Sequence, residues 1–255
     1  MTTWKIKESD PTIIKRLMEE FRAPEIIARV MANRGLKSLT NSKTFFSPRL
    51  ENLHDPFLMN NMDKAANVLQ QNIINKKKIF IFGDYDVDGA TSSALLYRYF
   101  LAIGIKIRIY IPDRLKEGYG PNIPAIDQLK SESTDIIITV DCGTAAHESL
   151  SFAKQQNIDV LVVDHHVAEA VLPEAIAVIN PNRLDENSPH RQLAAVGVSF
   201  LLIIGLNKVL REWGYFKNNN ISEPDMMQWL DLVALGTVAD VVPLIGINRA
   251  LVKQG

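Results

Sequence analysis

The sequence holds one cysteine in 255 residues, so an internal disulfide framework is excluded. That scarcity fits a reducing compartment. No apolar run approaches the ~20 residues of a membrane span. The polar stretch from Met1 to Asp10 lacks the apolar core of a signal peptide. A soluble cytoplasmic protein with no membrane partner is expected. Charge of one sign is also missing: 28 Lys+Arg face 29 Asp+Glu, a net charge of −1. By itself this balance gives no sign of a polyanionic partner. With 13 Gly and 12 Pro the chain is no linker, and it carries no repeat of 20–50 residues. What is present is ordinary for a globular protein, 47% hydrophobic and 22% charged residues. The length suits one large domain or two small ones.

The first sixty residues read as helical. Asp10-Pro11 makes a helix start, and Ile13, Ile14, Leu17, Met18 and Phe21 follow at helical spacing. A second helix over Pro24–Asn33 stops at Gly35. Residues 40–60, with Pro48 and Pro56, read as a connecting loop. Met62–Asn75 is helix-like, and Lys76-Lys77-Lys78 reads as its solvated basic end.

From Ile79 the rhythm changes. Short apolar strands are expected at 79–82, 105–111, 136–140, 160–163 and 175–179, alternating with helices at 90–103, 123–130 and 145–156. Two more helices follow at 196–213 and 224–235. This alternation predicts an α/β fold, a mostly parallel sheet flanked by helices on both faces, with an N-terminal helical extension. The expected domains are 1–60 for the extension, 61–245 for the catalytic domain and 246–255 for the start of a connecting helix.

In such sheets ligands sit beyond the carboxyl ends of the strands. Those ends deliver Asp84, Asp86 and Asp88 after the first strand, Asp141 after the third, and Asp164-His165-His166 after the fourth. The last helix leads to Asp240. Carboxylates gathered at one edge repel unless a cation neutralises them. Carboxylate oxygens with one or two His nitrogens suit Mn²⁺ or Mg²⁺ better than a structural Zn²⁺ site. The donors suffice for two divalent ions sharing a carboxylate. Gly89 gives a phosphate room to approach the backbone, and the helix behind it offers free N–H groups. Each piece alone has a plain structural reading as a cap, a turn residue or a surface loop. Their recurrence at successive strand ends is what points to a site.

The stretches Gly83-Asp-Tyr-Asp-Val-Asp-Gly-Ala-Thr-Ser92, Asp141-Cys-Gly143, Asp164-His-His166 and Gly236-Thr-Val-Ala-Asp-Val-Val-Pro-Leu244 resemble the four motifs of the DHH phosphoesterase superfamily. Ile111–Gly120, Ile179–Asn182 and Leu193–Val198 resemble further segments of its single-stranded-DNA exonuclease branch. The resemblance runs from about residue 15 to the last residue. It implies that Asp84, Asp86, Asp88, Asp141, His165 and Asp240 are metal ligands, with Asp141 the bridge. It implies that His166 contacts the scissile phosphate, that Asp164 orients the histidine pair, and that Arg114 binds substrate phosphate. Tyr119 is expected to stack on a base and His190 to touch substrate. Ala195 stands where the family more often has Gly, which crowds the backbone there. The activity implied is two-metal hydrolysis of single-stranded DNA from the 5′ end, releasing mononucleotides in repair and recombination. Helicase or single-strand-binding partners would act through parts absent here. The branch continues into a second domain and an oligonucleotide-binding barrel, neither of which this sequence contains.

Other readings have features in their favour. The same fold in other superfamily members acts on short oligonucleotides or small nucleotides. Asp86-Val-Asp88-Gly-Ala-Thr91 superficially matches a phosphatase motif in which Asp86 is a nucleophile. A Cys–His hydrolase would use Cys142, although a small strand-end residue is its simpler role. A non-catalytic nucleic-acid-binding scaffold would have lost ligands that are all filled here.

Overall fold

In the computed structural model, residues 3, 5, 7–37, 42 and 45–255 are described. Part of the polar N-terminal stretch and part of the loop expected over 40–60 therefore lie outside the described residues. The chain opens with α1 (Pro11–Phe21), whose cap Asp10 accepts a bond from the Thr12 N–H, and α2 (Glu25–Asn33). These helices share a small core of Ile14, Leu17, Ala28, Met31 and Leu36. Two single 3₁₀ turns, Leu50–Asn52 and Pro56–Leu58, lead into α3 (Met62–Ile74).

The strands are β1 (Ile79–Gly83), β2 (Arg108–Tyr110), β3 (Ile136–Val140), β4 (Asp159–Val163) and β5 (Ala177–Ile179). They form one sheet in the order β2-β1-β3-β4-β5, with every pairing parallel. Both faces are buried, which explains apolar runs without polar alternation. Ile79, Ile81, Ile136, Ile138, Leu161 and Val163 face one core, built with α3, α4 (Val87–Ala102) and α7 (Ala195–Glu212). The intervening Phe80, Phe82, Ile137, Val160 and Val162 face another, built with α5 (Ile123–Ser131) and α6 (His147–Gln155). The short α8 (Tyr215–Asn219), α9 (Leu230–Ala239) and α10 (Gly246–Gln254) complete the chain. Among the described residues no helix is long and apolar enough to cross a membrane.

The expected mostly parallel, doubly covered sheet is what the structure has. Most boundaries fall within about three residues of expectation, and two elements differ more. The strand expected over 105–111 pairs only over Arg108–Tyr110. The Ile105 N–H is taken by the Phe100 carbonyl as the chain leaves α4, and β2 is an edge with one neighbour. The helix expected over 224–235 starts later, because Asp225 caps a 3₁₀ turn at Met226–Trp229 before α9 begins.

The order places β1 beside β3, while the chain travels from β1 to the edge before returning. The helix after β1 covers one face and the helix after β3 the other. The segments beyond β1 and β3 therefore diverge and leave a crevice at their carboxyl ends.

Candidate metal centre

Asp84 follows β1 directly, and its backbone N–H is held by the Val140 carbonyl at 3.2 Å. The turn then rises into α4. Asp86 caps that helix, accepting the Gly89 N–H at 3.0 Å. Gly89 has a use not foreseen from its sequence position. A Cβ there would lie 2.4 Å from the Asp84 carbonyl oxygen, so the missing side chain admits this chain's own backbone. Asp88, the second residue of α4, is buried, and it reaches across to the start of α7. Its two oxygens accept the Ala195 N–H at 2.6 Å and the Val196 N–H at 2.9 Å. The start of α7 has no side-chain cap of its own; Asp88 supplies one from another helix.

Asp141 follows β3 with φ of +62°, a left-handed conformation that Asp tolerates better than most residues. It is buried, and its Oδ1 lies 3.3 Å from His165 Nε2. His165 also stands 3.8 Å from Asp88 Oδ2 and 3.7 Å from Asp240 Oδ2. Asp240 ends α9, where its carboxylate meets the negative end of the helix dipole. Gly236 lets α9 come this close: a Cβ there would lie 2.3 Å from Thr91 Oγ1 and 2.8 Å from Val196.

Three donor sets result, each with ligand atoms within 4.8 Å of one another: Asp84, Asp86 and Asp141; Asp141, His165 and His166; and Asp88, His165 and Asp240. Asp141 belongs to two of them and His165 to two. All six sequence-proposed ligands are thus brought together.

The electrostatics of this cluster are unfavourable as it stands. Burial, with Asp88 and Asp86 nearby, pushes the Asp141 carboxyl up to about 10. Burial also lifts Asp88 to about 6, against the opposing α7 amides. Asp84 and Asp240 are raised too, burial again the main cause. Asp84 Oδ1, Asp141 Oδ1, Asp240 Oδ2 and His165 Nε2 are buried without a hydrogen-bond partner among the described residues. Carboxylate oxygens left unpaired in a closed space fit an oxygen-seeking divalent cation.

The second histidine is held differently. His166 Nδ1 sits 2.7 Å from Asp164 Oδ1, leaving Nε2 facing outward. Asp164 is almost fully buried and accepts the backbone N–H groups of His165, His166 and Thr144 at 2.7, 3.2 and 3.0 Å. Burial raises its pKa, but the His166 contact and the Thr144 bonds outweigh this and bring it to about 2. The same contact raises the pKa of His166.

Two residues after β5 were not assigned a role from sequence. The buried Asn180 amide donates to the His166 carbonyl at 2.8 Å and to Thr144 Oγ1 at 2.9 Å. Asn182 donates to the His165 carbonyl. They brace the histidine backbone from the next strand. Their position just past a strand end was the available signal.

Arg114 is exposed, with its guanidinium 4.9 Å from the Tyr85 ring centre. Tyr119 donates its hydroxyl to the Asp141 carbonyl at 2.9 Å, and its half-exposed ring stands edge-on to His166. Its hydroxyl is therefore anchored, and only the ring face is free for stacking. Cys142 is buried with its thiol pKa pushed up by burial, as suits a small strand-end residue and not a nucleophile. His190 is the exception. It belongs to none of the donor sets and lines a separate cavity beside His54. Beside the metal-ligand cluster lies an open cleft of about 640 Å³, walled by Tyr119, Asn122, Thr144, His147, Asp164 and His166 among others.

Residues 78–237 match the model of the DHH family, N-terminal domain. The chain is 39% identical over 233 residues to the single-stranded-DNA-specific exonuclease RecJ of Dickeya dadantii (strain 3937), covering 91% of this chain and 40% of that protein. It is 35% identical over 252 residues to the protein of the same name from Bacillus subtilis (strain 168), covering 99% of this chain and 30% of the relative. Among solved structures, exonuclease RecJ bound to manganese superposes with a TM-score of 0.65 at 34% identity, over 77% of this chain and 47% of that one. RecJ in complex with Mn²⁺ from Thermus thermophilus gives a TM-score of 0.72 at 28% identity, over 97% of this chain and 34% of that one. The chain thus spans less than half the length of these relatives.

Proposed function

Since this chain belongs to the DHH family, we propose that it is the catalytic part of a metal-dependent phosphodiesterase that removes mononucleotides from the 5′ end of single-stranded DNA. The observation that carries the reading is the cluster of Asp84, Asp86, Asp88, Asp141, His165 and Asp240, with Asp84, Asp88 and Asp141 buried and four donor atoms unpaired among the described residues. The similarity to RecJ exonucleases and to Mn²⁺-bound RecJ supports it. Asp84, Asp86 and Asp141 would hold one Mn²⁺ or Mg²⁺; Asp88, His165 and Asp240, together with Asp141, would hold a second. Bound there, two such ions supply Lewis-acid activation of water and neutralise phosphate charge.

The chain's own residues do the rest. His166, whose pKa the Asp164 contact raises, would present Nε2–H in its protonated form to a phosphate oxygen as negative charge builds. Asp164 fixes the ring plane and tautomer and does not itself react. Arg114, lying over Tyr85, offers a planar fork to a substrate phosphate. The ring of Tyr119 frames the substrate next to these groups.

The domain reading is α1 and α2 as an extension within 1–60, the catalytic domain over 61–245, and α10 as the start of a connecting helix over 246–255. A cytoplasmic repair setting follows from the reading. Helicase or single-strand-binding partners would engage portions of the relatives that this chain does not span.

The test is release of nucleotide from a 5′-labelled single strand with Mn²⁺, beside EDTA and an Asp141→Ala control. Equal rates in all three would refute the assignment. One observation favours a second reading. The cleft of about 640 Å³ beside His166 is sized for a single nucleotide, as suits an enzyme of short oligonucleotides. A panel of dinucleotides and longer strands decides, and faster cleavage of dinucleotides would favour this alternative.

A further inference from the structure

A second cavity, of about 200 Å³, has Arg49, His54, His190, Gln192, Gly246 and Ile247 in its wall. None of these residues belongs to the metal-donor sets. Three features converge on it. The nine-residue helix α10 starts at its wall, with Ile245 as cap and no side-chain cap bond. Gly246 and Ile247, at the end of the helix where first-turn N–H groups have no intrahelical partner and the dipole is positive, line the cavity. His190 is 1% exposed, and among the described residues neither ring nitrogen makes a close hydrogen bond, the Asp55 backbone being the one group that reaches the ring. It meets His54, another lining residue, edge-on at 6.1 Å between ring centres. Arg49 stands at the rim, with a 3.5 Å contact to the exposed Glu51.

No carboxylate lines the space. Every charged or polar group there is a cation, a donor or a side chain able to donate. A buried imidazole with at least one nitrogen lacking a partner is costly unless a ligand completes it. The volume is below that of drug-sized sites, so it excludes a nucleoside and suits one tetrahedral oxyanion with its water. We propose that this cavity is a phosphate-binding site, separate from the metal centre, in which the α10 N-terminus, His190 and Arg49 hold a phosphate group. That group is either inorganic phosphate or an ester phosphate of a nucleic-acid strand; both present the same oxygens. The proposal does not depend on the metal centre being catalytic.

The test follows backbone amide and imidazole NMR signals of the full 255-residue chain in EDTA, so that no metal can recruit phosphate. One arm adds inorganic phosphate and the other an unphosphorylated oligodeoxynucleotide. Saturable shifts of Gly246, Ile247 and His190 in either arm support the site, and the arm that produces them identifies the source. Arg49→Ala, a rim substitution compatible with folding, should weaken that binding about tenfold. His190→Gln should weaken it as well while leaving the remaining spectrum in place. Absence of shifts in both arms would overturn the proposal. So would shifts that persist unchanged in both variants.

Discussion

Asp141→Asn should make the metal-free protein more stable, although it removes a residue at the centre of the site. The Asp141 carboxyl is buried and pushed up to about 10 from the ordinary 3.8. A raised acid means that the folded state holds a proton which the unfolded chain has released. Wild-type stability therefore falls as pH rises above about 4, by about 1.4 kcal/mol per unit in that window. By about pH 8 this sets an upper bound of about 6 kcal/mol. Because Asp88 and Asp86 contribute to the same strain, relief at one position should recover a fraction, about 2 kcal/mol. That corresponds to a rise in Tm of roughly 4–8 °C for a chain of this size. Asn matches the side-chain shape and tolerates the positive φ of this position, so the backbone adds no penalty. The assay is thermal unfolding of both proteins in EDTA at about pH 5 and pH 8, then with Mn²⁺. The gap should widen with pH, and Mn²⁺ should raise the Tm of wild type much more than that of the variant. A variant less stable than wild type in EDTA at about pH 8 would refute the reasoning, because it would mean the carboxylate contributes bonds and not strain.

Other expectations follow from the same geometry. Asp164 is depressed to about 2, so its contribution is present above the unfolded value of 3.8 and disappears as pH falls through about 2. Asp164→Asn should cost about 2–3 kcal/mol near neutral pH, and NMR titration should show the His166 pKa falling; an unmoved His166 would contradict the pairing. Gly89→Ala places a methyl against the Asp84 carbonyl, so denaturant unfolding should show a loss of about 1–3 kcal/mol. Arg114→Ala touches an exposed side chain, so stability should change by less than about 0.5 kcal/mol. Cleavage of single strands should nevertheless slow about tenfold or more, and an unchanged rate would remove Arg114 from the site.

How much of this was legible in the sequence varies with the range of the interactions. The strands were visible because a doubly covered parallel strand must be apolar throughout, as Ile79–Gly83 and Ile136–Val140 are. Their ends were visible because acids follow them directly. The edge strand β2 was overestimated, since the apolar character of Ile105 and Ile107 reports burial and not pairing. Asp88 could be read as a ligand candidate but not as the cap of α7, because its amide partners lie 107 and 108 residues away. Gly89 reads from sequence as room for a phosphate, whereas in the fold the Asp84 backbone fills that room. His190 lies near a substrate-like segment in sequence, yet the chain folds it into another cavity. Long-range placement of this kind is decided by packing of the whole domain and leaves no local pattern.

The bond from Asp88 to the start of α7 makes the two sides of the crevice unequal. An 18-residue helix brings about half a positive charge to its first turn, and both Asp88 oxygens already accept its amides. Asp84 and Asp141 have no such claim on their buried Oδ1 atoms. A cation at Asp88 would meet a carboxylate whose charge is partly spent, and a cation at Asp84 and Asp141 one that is not. The expected result is a centre with one tenant that stays and one that exchanges. Deuterium uptake at the Ala195 and Val196 amides would then follow the arrivals and departures of the second.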